Sequence, residues 1–497
     1  MNPEWTEDVA QRTAGRRVSA ARTRYSLLAT RYSLLIHGLA ACAGVGFAVT
    51  AVLRHRAFHS AANDLAFFDQ IIWNTAHGRP FATSFVPYNF LGQHVQPVLA
   101  LYALLYHLWP SPELLLITQS LLVPAAAIPL FHIARRLLHA DLPAALVAGA
   151  YLASPYLHHA AHFDFHPETM APFFVFLGYR FALDGRRRAA VCALLPLLLL
   201  KEDTVVLLIG VAWLCWLSRE RRLAATLVGI AVAWGAFATL IVMPHFRSGP
   251  SDLEERYGYL GSGAAGILTG LVTHPQRAFA HLLTWGVALA LLGFIGSAGF
   301  LPLAAPAEAL AMLPLLAFHL LSTHAAQTHL RLHYSAEVLP LLWIAAVCGL
   351  VNVAAWAIPR AIGRNLPAMM TLSRGWLVFA ACIAFVTASP FSPVRGFGSA
   401  EYHTDAAHRE AIAEAIAHIP PDAVVSAQTG IAPHLAHRET LFEFPEGVGA
   451  PYILLDARGD IARFYQSRYA PAVTALPNEG YTPVWSRDGV TLYRRGD

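Results

Sequence analysis

Lysine occurs once in 497 residues, at Lys201. Charge of either sign is scarce: Asp, Glu, Lys and Arg make up 13% of the chain, against about 25% in ordinary soluble domains. With 56% hydrophobic residues and a mean hydropathy of +0.46, the chain is not an ordinary soluble enzyme, a disordered segment or a coiled coil. A net charge of +4 makes no electrostatic footprint for nucleic acid, and no such partner is expected. Cysteine is sparse too. Cys42, Cys192, Cys215, Cys348 and Cys382 all sit in apolar runs, and no C-x-x-C pair occurs. That excludes a disulfide framework and a thiolate zinc site. What remains is a polytopic membrane protein.

Residues 1–32 are polar and basic, with Arg12, Arg16, Arg17, Arg22, Arg24 and Arg31. The apolar run that follows, 33–53, has the roughly 20 residues a crossing needs. Its basic leader predicts a cytoplasmic N-terminus. Leu39-Ala40-Ala41-Cys42 mimics a lipoprotein cleavage box, but the apolar run continues past Cys42, which argues against processing there. Arg135-Arg136, Arg186-Arg187-Arg188, Arg219 with Arg221-Arg222, and Arg360 with Arg364 should likewise be cytoplasmic. Apolar segments near 33–53, 113–134, 143–157, 170–183, 189–200, 204–217, 223–243, 280–297, 301–321, 338–358 and 375–389 fit that placement. They predict about eleven crossings and an external C-terminus, some segments being short for a ~30 Å core.

From about residue 392 the pattern changes. A helix over 405–418, strands over 423–427, 440–444 and 452–456, a helical turn near 433–436, a short helix over 461–467 and a hairpin over 484–494 are predicted. No Gly-rich loop follows any of these strands, so a Rossmann nucleotide site is not expected. The expected architecture is a basic cytoplasmic tail over 1–32, an all-α polytopic membrane domain over 33–391 and a small extracytoplasmic α/β domain over 392–497.

Sorted by side, most histidines and loop carboxylates fall outside, while the inner face carries Arg clusters. Four stretches could hold chemistry. The first is Asp64 to Asn74, where Phe67, Phe68, Ile71, Ile72 and Trp73 predict a helix lying on the membrane surface. A carboxylate against that layer, Asp64 or Asp69, can have the raised pKa of a general base. Equally, Asp64 could cap the helix and Asp69 face solvent. The second is His158-His159-Ala160-Ala161-His162-Phe163-Asp164-Phe165-His166-Pro167-Glu168, whose His158 and His162 have ligand spacing for a divalent ion. The same groups suit a phosphate or sugar, or a polar helix connection.

The third is Lys201-Glu202-Asp203, between apolar runs too short to cross alone. Charges there need partners or a wet cavity. The fourth runs from His324 to Glu337 and contains Arg331, His333 and Tyr334. Arg331, with Lys201, could bind an anionic phosphate or snorkel to the interface.

Together, Asp64-Leu65-Ala66-Phe67-Phe68-Asp69-Gln70 with Trp73-Asn74, Tyr88-Asn89-Phe90-Leu91-Gly92-Gln93-His94, Asp164-Phe165-His166-Pro167-Glu168, Lys201-Glu202-Asp203, His333-Tyr334, Pro433-His434-Leu435-Ala436-His437-Arg438 and Phe444-Pro445 resemble the DUF2079 family of integral-membrane proteins. The likeness departs at Ala66, where the family commonly has Gly. That family in turn resembles the GT-C glycosyltransferases, which use lipid-phosphate-linked sugars on the outer face.

The resemblance implies a general base at Asp64 or Asp69. It implies substrate contacts from His94, His162, Asp164, His166, Glu168, Lys201, Glu202, Asp203, Arg331, His333 and Tyr334. The implied partners are a polyprenyl-phosphate sugar donor, a glycan or lipid acceptor and the bilayer of a bacterial inner membrane. No cofactor is required, and a divalent metal is compatible with these side chains. The alternatives are a transporter or flippase with Lys201-Glu202-Asp203 on its pathway, and a metal-dependent hydrolase using His158, His162 and His166. Oligomeric state, sugar and acceptor are not legible.

Overall fold

The computed structural model describes residues 31–249, 252–363, 404–462 and 465–496. The basic tail over 1–30 and the apolar segment 375–389 lie outside the described residues. Among the described residues, four helices are long and apolar enough to cross a membrane: Arg31–Arg56, Pro112–Leu138, Arg221–Phe246 and Leu339–Trp356. A fifth candidate is the pair Pro275–Leu282 and Trp285–Gly296, bent by 68°. Asp141–Leu152, Thr204–Leu217 and Pro306–Leu320 are apolar but shorter. The segments expected between 33 and 358 thus fall on helices or helix pairs. Only four or five of the described helices reach spanning length, so helix length does not establish eleven crossings.

The interruptions have local causes. Lys201 adopts extended backbone (φ −169°, ψ 154°) and separates Leu197–Leu200 from Thr204–Leu217. The Thr204 hydroxyl donates to the carbonyls of Leu197 and Lys201, both at 2.7 Å, and closes that break. Arg221–Phe246 has only 17% of its apolar window buried. Val232 and Leu240 stand exposed on it, as on a helix that meets hydrocarbon.

The helices carry their polar ends to opposite sides. At one end Arg136 pairs with Asp184 (3.8 Å), Arg180 with Asp184, and Arg187 with Glu220 (2.6 Å). The other end gathers the first long loop and the stretches around His166, Lys201 and His333.

The C-terminal part packs the helix Ala406–Ala417 on a five-stranded sheet. Its strands are β1 (Val425–Ala427), β2 (Leu441–Glu443), β3 (Tyr452–Asp456), β4 (Tyr481–Arg487) and β5 (Val490–Arg495), in the order β2-β1-β3-β5-β4. β1 runs parallel to β2 and β3, whereas β5 is antiparallel to both β3 and β4. The helix expected over 461–467 is displaced: residues 461–462 are not helical and the helix is Gln466–Ala475. The preceding stretch is held as a loop, because Gln428 donates to the Asp460 carbonyl at 2.9 Å and His59 pairs with the Asp460 carboxylate at 3.1 Å.

The carboxyl ends of the three parallel strands face the first long loop of the membrane part. The Ala62 amide donates to Thr429 Oγ1 at 3.2 Å, and the Asn63 amide donates to the Glu443 carboxylate. A Cβ at Gly430 would overlap the Phe58 carbonyl oxygen, so only glycine allows this approach. Ala62 and Ala66 are fully buried and belong to the same apolar core as Ala411, Ile412, Ile431 and Leu435. The Ala66 methyl group packs into the C-terminal core.

The helix Phe67–Ala76 does not lie on a membrane surface as expected. Phe67, Phe68, Ile71 and Ile72 are buried in the main core. Its polar side is covered as well, because Gln70 donates to the Arg438 carbonyl and accepts from Thr83 Oγ1 and the Ser84 amide. With both sides partnered, the helix is sandwiched rather than interfacial.

Candidate functional site

The first loop enters the site through a buried ion pair. Arg54, at the end of the first membrane helix, meets Asp164 at 2.6 Å. The second Asp164 oxygen accepts the Ala61 amide, also at 2.6 Å. Asp164 is 1% exposed, so it holds the chain in place just before Asp64 and is not open to a ligand.

Asp64 and Asp69 have different surroundings. Asp69 is fully buried; one carboxylate oxygen accepts from Tyr106 Oη at 2.5 Å and faces His437 Nε2 at 3.2 Å. Asp64 sits in the turn Ala62–Ala66 with 24% of its side chain exposed, and its Oδ1 lies 3.5 Å from His166 Nε2. Burial raises the Asp64 carboxyl to about 6, and His166 opposes part of that rise.

Behind Asp64 is a buried polar cluster. The His166 amide donates to Gln119 Oε1 at 2.8 Å, and Gln119 Nε2 donates to the Phe163 carbonyl at 3.2 Å. One glutamine in an apolar helix therefore fixes the whole Asp164–His166 turn. The His166 ring stacks on His333, with centroids 3.7 Å apart and planes within 12°. Glu168 Oε1 lies 3.7 Å from His333 Nε2, and Tyr334 packs beside His333 at 4.1 Å.

Lys201 pairs with Asp203 at 2.7 Å and is within electrostatic reach of Glu168 and Glu337. Glu202 turns the other way: His94 Nδ1 meets it at 2.8 Å and the Val95 amide donates to it at 2.9 Å. Gly92, two residues earlier in that motif, abuts the backbone of Phe246 and Arg247, where a Cβ would come within 2.8 Å.

The cluster thus draws Asp64, Asp164, His166, Glu168, Lys201, Glu202, Asp203, His333 and Tyr334 from four separate stretches, with His94 tied to its edge. Three expected residues are not gathered with them, the first being Asp69, which Tyr106 and His437 hold. Arg331 is exposed and makes no ion pair among the described residues. His162 lies beside Phe47 and Thr50, and His158 gives its Nε2 to the Leu152 carbonyl at 2.7 Å. The ligand spacing of His158 and His162 is therefore not used around a common point with His166. The donors that do converge are His166, Glu168 and His333, whose ligand atoms lie within 4.8 Å of one another.

Sequence reasoning missed Gln119, Arg54 and Glu443. The only available signal was a lone amide or charge within or beside an apolar run. Glu443, at the end of β2, reaches the site through Asn63. Burial raises its carboxyl to about 7, while Thr429 and Asn63 pull it down and Asp64 pushes it further up.

No curated protein matches the chain. Two crystal structures of ArnT from Cupriavidus metallidurans, one apo and one bound to undecaprenyl phosphate, are similar to it at 14% identity. The apo form gives a TM-score of 0.48 over 96% of this chain and 100% of that one. The bound form gives 0.47 over 96% and 99%. The model of the predicted membrane proteins DUF2079 matches residues 54–492, and the chain belongs to that family.

Proposed function

We propose that the protein is a GT-C-like membrane glycosyltransferase. It would move a sugar from a polyprenyl-phosphate donor to a glycan or lipid acceptor at the extracytoplasmic face of a bacterial inner membrane. The observation that carries this reading is the setting of Asp64, a partly exposed carboxylate at the margin of a buried polar cluster that contains the ammonium of Lys201. Asp64 takes the proton of the acceptor hydroxyl. The acceptor oxygen then bonds to the anomeric carbon as the bond from that carbon to the phosphate oxygen breaks, and the polyprenyl phosphate leaves with the electron pair.

Stabilising that leaving group is an electrostatic task. Lys201 suits it, because an ammonium held by Asp203 at 2.7 Å keeps two more N–H donors. Asp69, locked by Tyr106 and His437, positions the helix and does not act as the base.

The test is Asp64→Asn in a strain whose deletion has a measurable glycan phenotype. Loss of a general base costs roughly 10²–10⁴ in rate, so the variant, present at normal levels in the membrane, should fail to complement. Asp69→Asn should complement in proportion to the protein that accumulates. Full complementation by Asp64→Asn would remove the assignment.

A further inference from the structure

His166, Glu168 and His333 face one another in an arrangement that hydrogen bonds do not explain. The three side chains are buried, at 7%, 4% and 8% exposure. His166 Nε2 is 3.5 Å from Asp64 Oδ1, and His333 Nε2 is 3.7 Å from Glu168 Oε1. Both separations exceed the normal N–H···O range of about 2.7–3.2 Å. Among the described residues, Glu168 Oε2 and His333 Nδ1 have no hydrogen-bond partner. Buried polar atoms are seldom left in this state.

Two donors bound to one ion at about 2.0–2.2 Å each come to lie roughly 3–4.4 Å apart. Both contacts fall in that range, and the triad as a whole closes to within 4.8 Å. Imidazole nitrogens facing carboxylates at such distances leave room for a cation between them.

We propose that His166, Glu168 and His333 form a binding site for one divalent transition-metal ion, with Asp64 at its open side. Two imidazoles and a carboxylate favour borderline Zn²⁺ or the harder Mn²⁺ over a soft, thiolate-seeking ion. Gln119 and the Asp164 backbone carry the His166 side of the site, since the Asp164 carbonyl lies 3.1 Å from His166 Nδ1. That contact leaves Nε2 as the ligand atom. The proposal concerns the ion alone and stands apart from the transferase reading.

The experiment uses full-length protein purified in detergent without a histidine tag. It is stripped with chelator, then dialysed against Zn²⁺ or Mn²⁺ and submitted to elemental analysis. About one tightly held ion per chain is expected, with Co²⁺ substitution giving visible bands of a nitrogen–oxygen site. Glu168→Gln and His333→Asn should each weaken binding by at least the roughly 10–100-fold that outer-shell changes already cost. His418→Asn, at an exposed position in the C-terminal part, should bind as wild type does.

A wild-type chain that retains neither ion overturns the proposal without any variant. Retention that is unchanged in Glu168→Gln and His333→Asn overturns it too, because the ion is then elsewhere. If either variant fails to elute as wild type does, Glu168→Asp keeps the charge but withdraws it by one methylene. Weaker binding by that variant supports the site, and unchanged binding overturns it.

Discussion

Two neighbouring arginines show how little a residue's identity says about its worth. Arg54 pairs with Asp164 at 2.6 Å with side-chain exposures of 18% and 1%; Arg56 pairs with Glu113 at 2.7 Å with 62% and 19%. Removing one partner of a buried pair leaves an uncompensated charge and costs about 3–5 kcal/mol. Exposed pairs are worth about 0–1 kcal/mol. Arg54→Met should therefore lower the thermal midpoint in detergent sharply and expose the Ala61–Asp64 stretch to protease, while Arg56→Met should change neither. Equal midpoints for the two variants would refute this account of how Asp64 is held.

Among the elements, close approach matters more than propensity. The Phe90–Gly92 turn fits against Phe246 and Arg247, and Arg247 Nε donates to the Gly92 carbonyl at 2.7 Å. Gly92→Ala should push the two segments apart, a strain that typically costs about 1–3 kcal/mol. Hydrogen exchange should speed up in the segment around Phe246–Arg247 and leave the Phe131 and Trp343 core unchanged. Uniform loosening throughout the protein would contradict a local clash.

Much of the element order was legible in sequence, because it depends on short-range pattern. Tyr452–Asp456 is a strand at the limits expected, being an apolar run bounded by turn residues. Gln466–Ala475 was not legible, since Pro471 lies inside it and the adjoining loop is fixed by distant Gln428 and His59. The candidate site was legible as separate motifs but not as a set. Spacing offers His158 with His162, whereas the fold brings His166 to His333 across 167 residues. It does so through a helix bearing Gln119 and a stack that no local pattern encodes.

In the whole molecule, the contact between the membrane part and the C-terminal sheet carries its own pH dependence. His434 stacks on His55 at 4.2 Å and its Nε2 donates to the His55 carbonyl at 3.0 Å. Burial, with His55 adding to it, lowers the His434 pKa to about 3. Below pH 6.5 the free state takes up a proton that the docked state refuses, so this contact weakens as pH falls from 6.5 towards 3. Glu443, raised to about 7, has the opposite sign: its share is complete below about 4.5 and lost as pH rises through 7.

Docking should therefore be most sensitive to acid when Glu443 is removed. In Glu443→Gln, protease release of the C-terminal part should rise more steeply between pH 7 and 5 than in wild type. His434→Asn, which keeps a donor, should flatten that rise. Parallel profiles for all three proteins would exclude these two groups as the cause.

The burial of Ala62 and Ala66 in the C-terminal core has a consequence for biosynthesis. The turn that carries Asp64 is made about 350 residues before its apolar partners Ala411, Ile412, Ile431 and Leu435. The first loop cannot settle until those partners have been made and have closed over it. A chain cut short after its membrane helices would retain every residue of the buried cluster and still lack a placed carboxylate. Synthesis of the C-terminal core thus acts as the assembly checkpoint for the turn that carries Asp64.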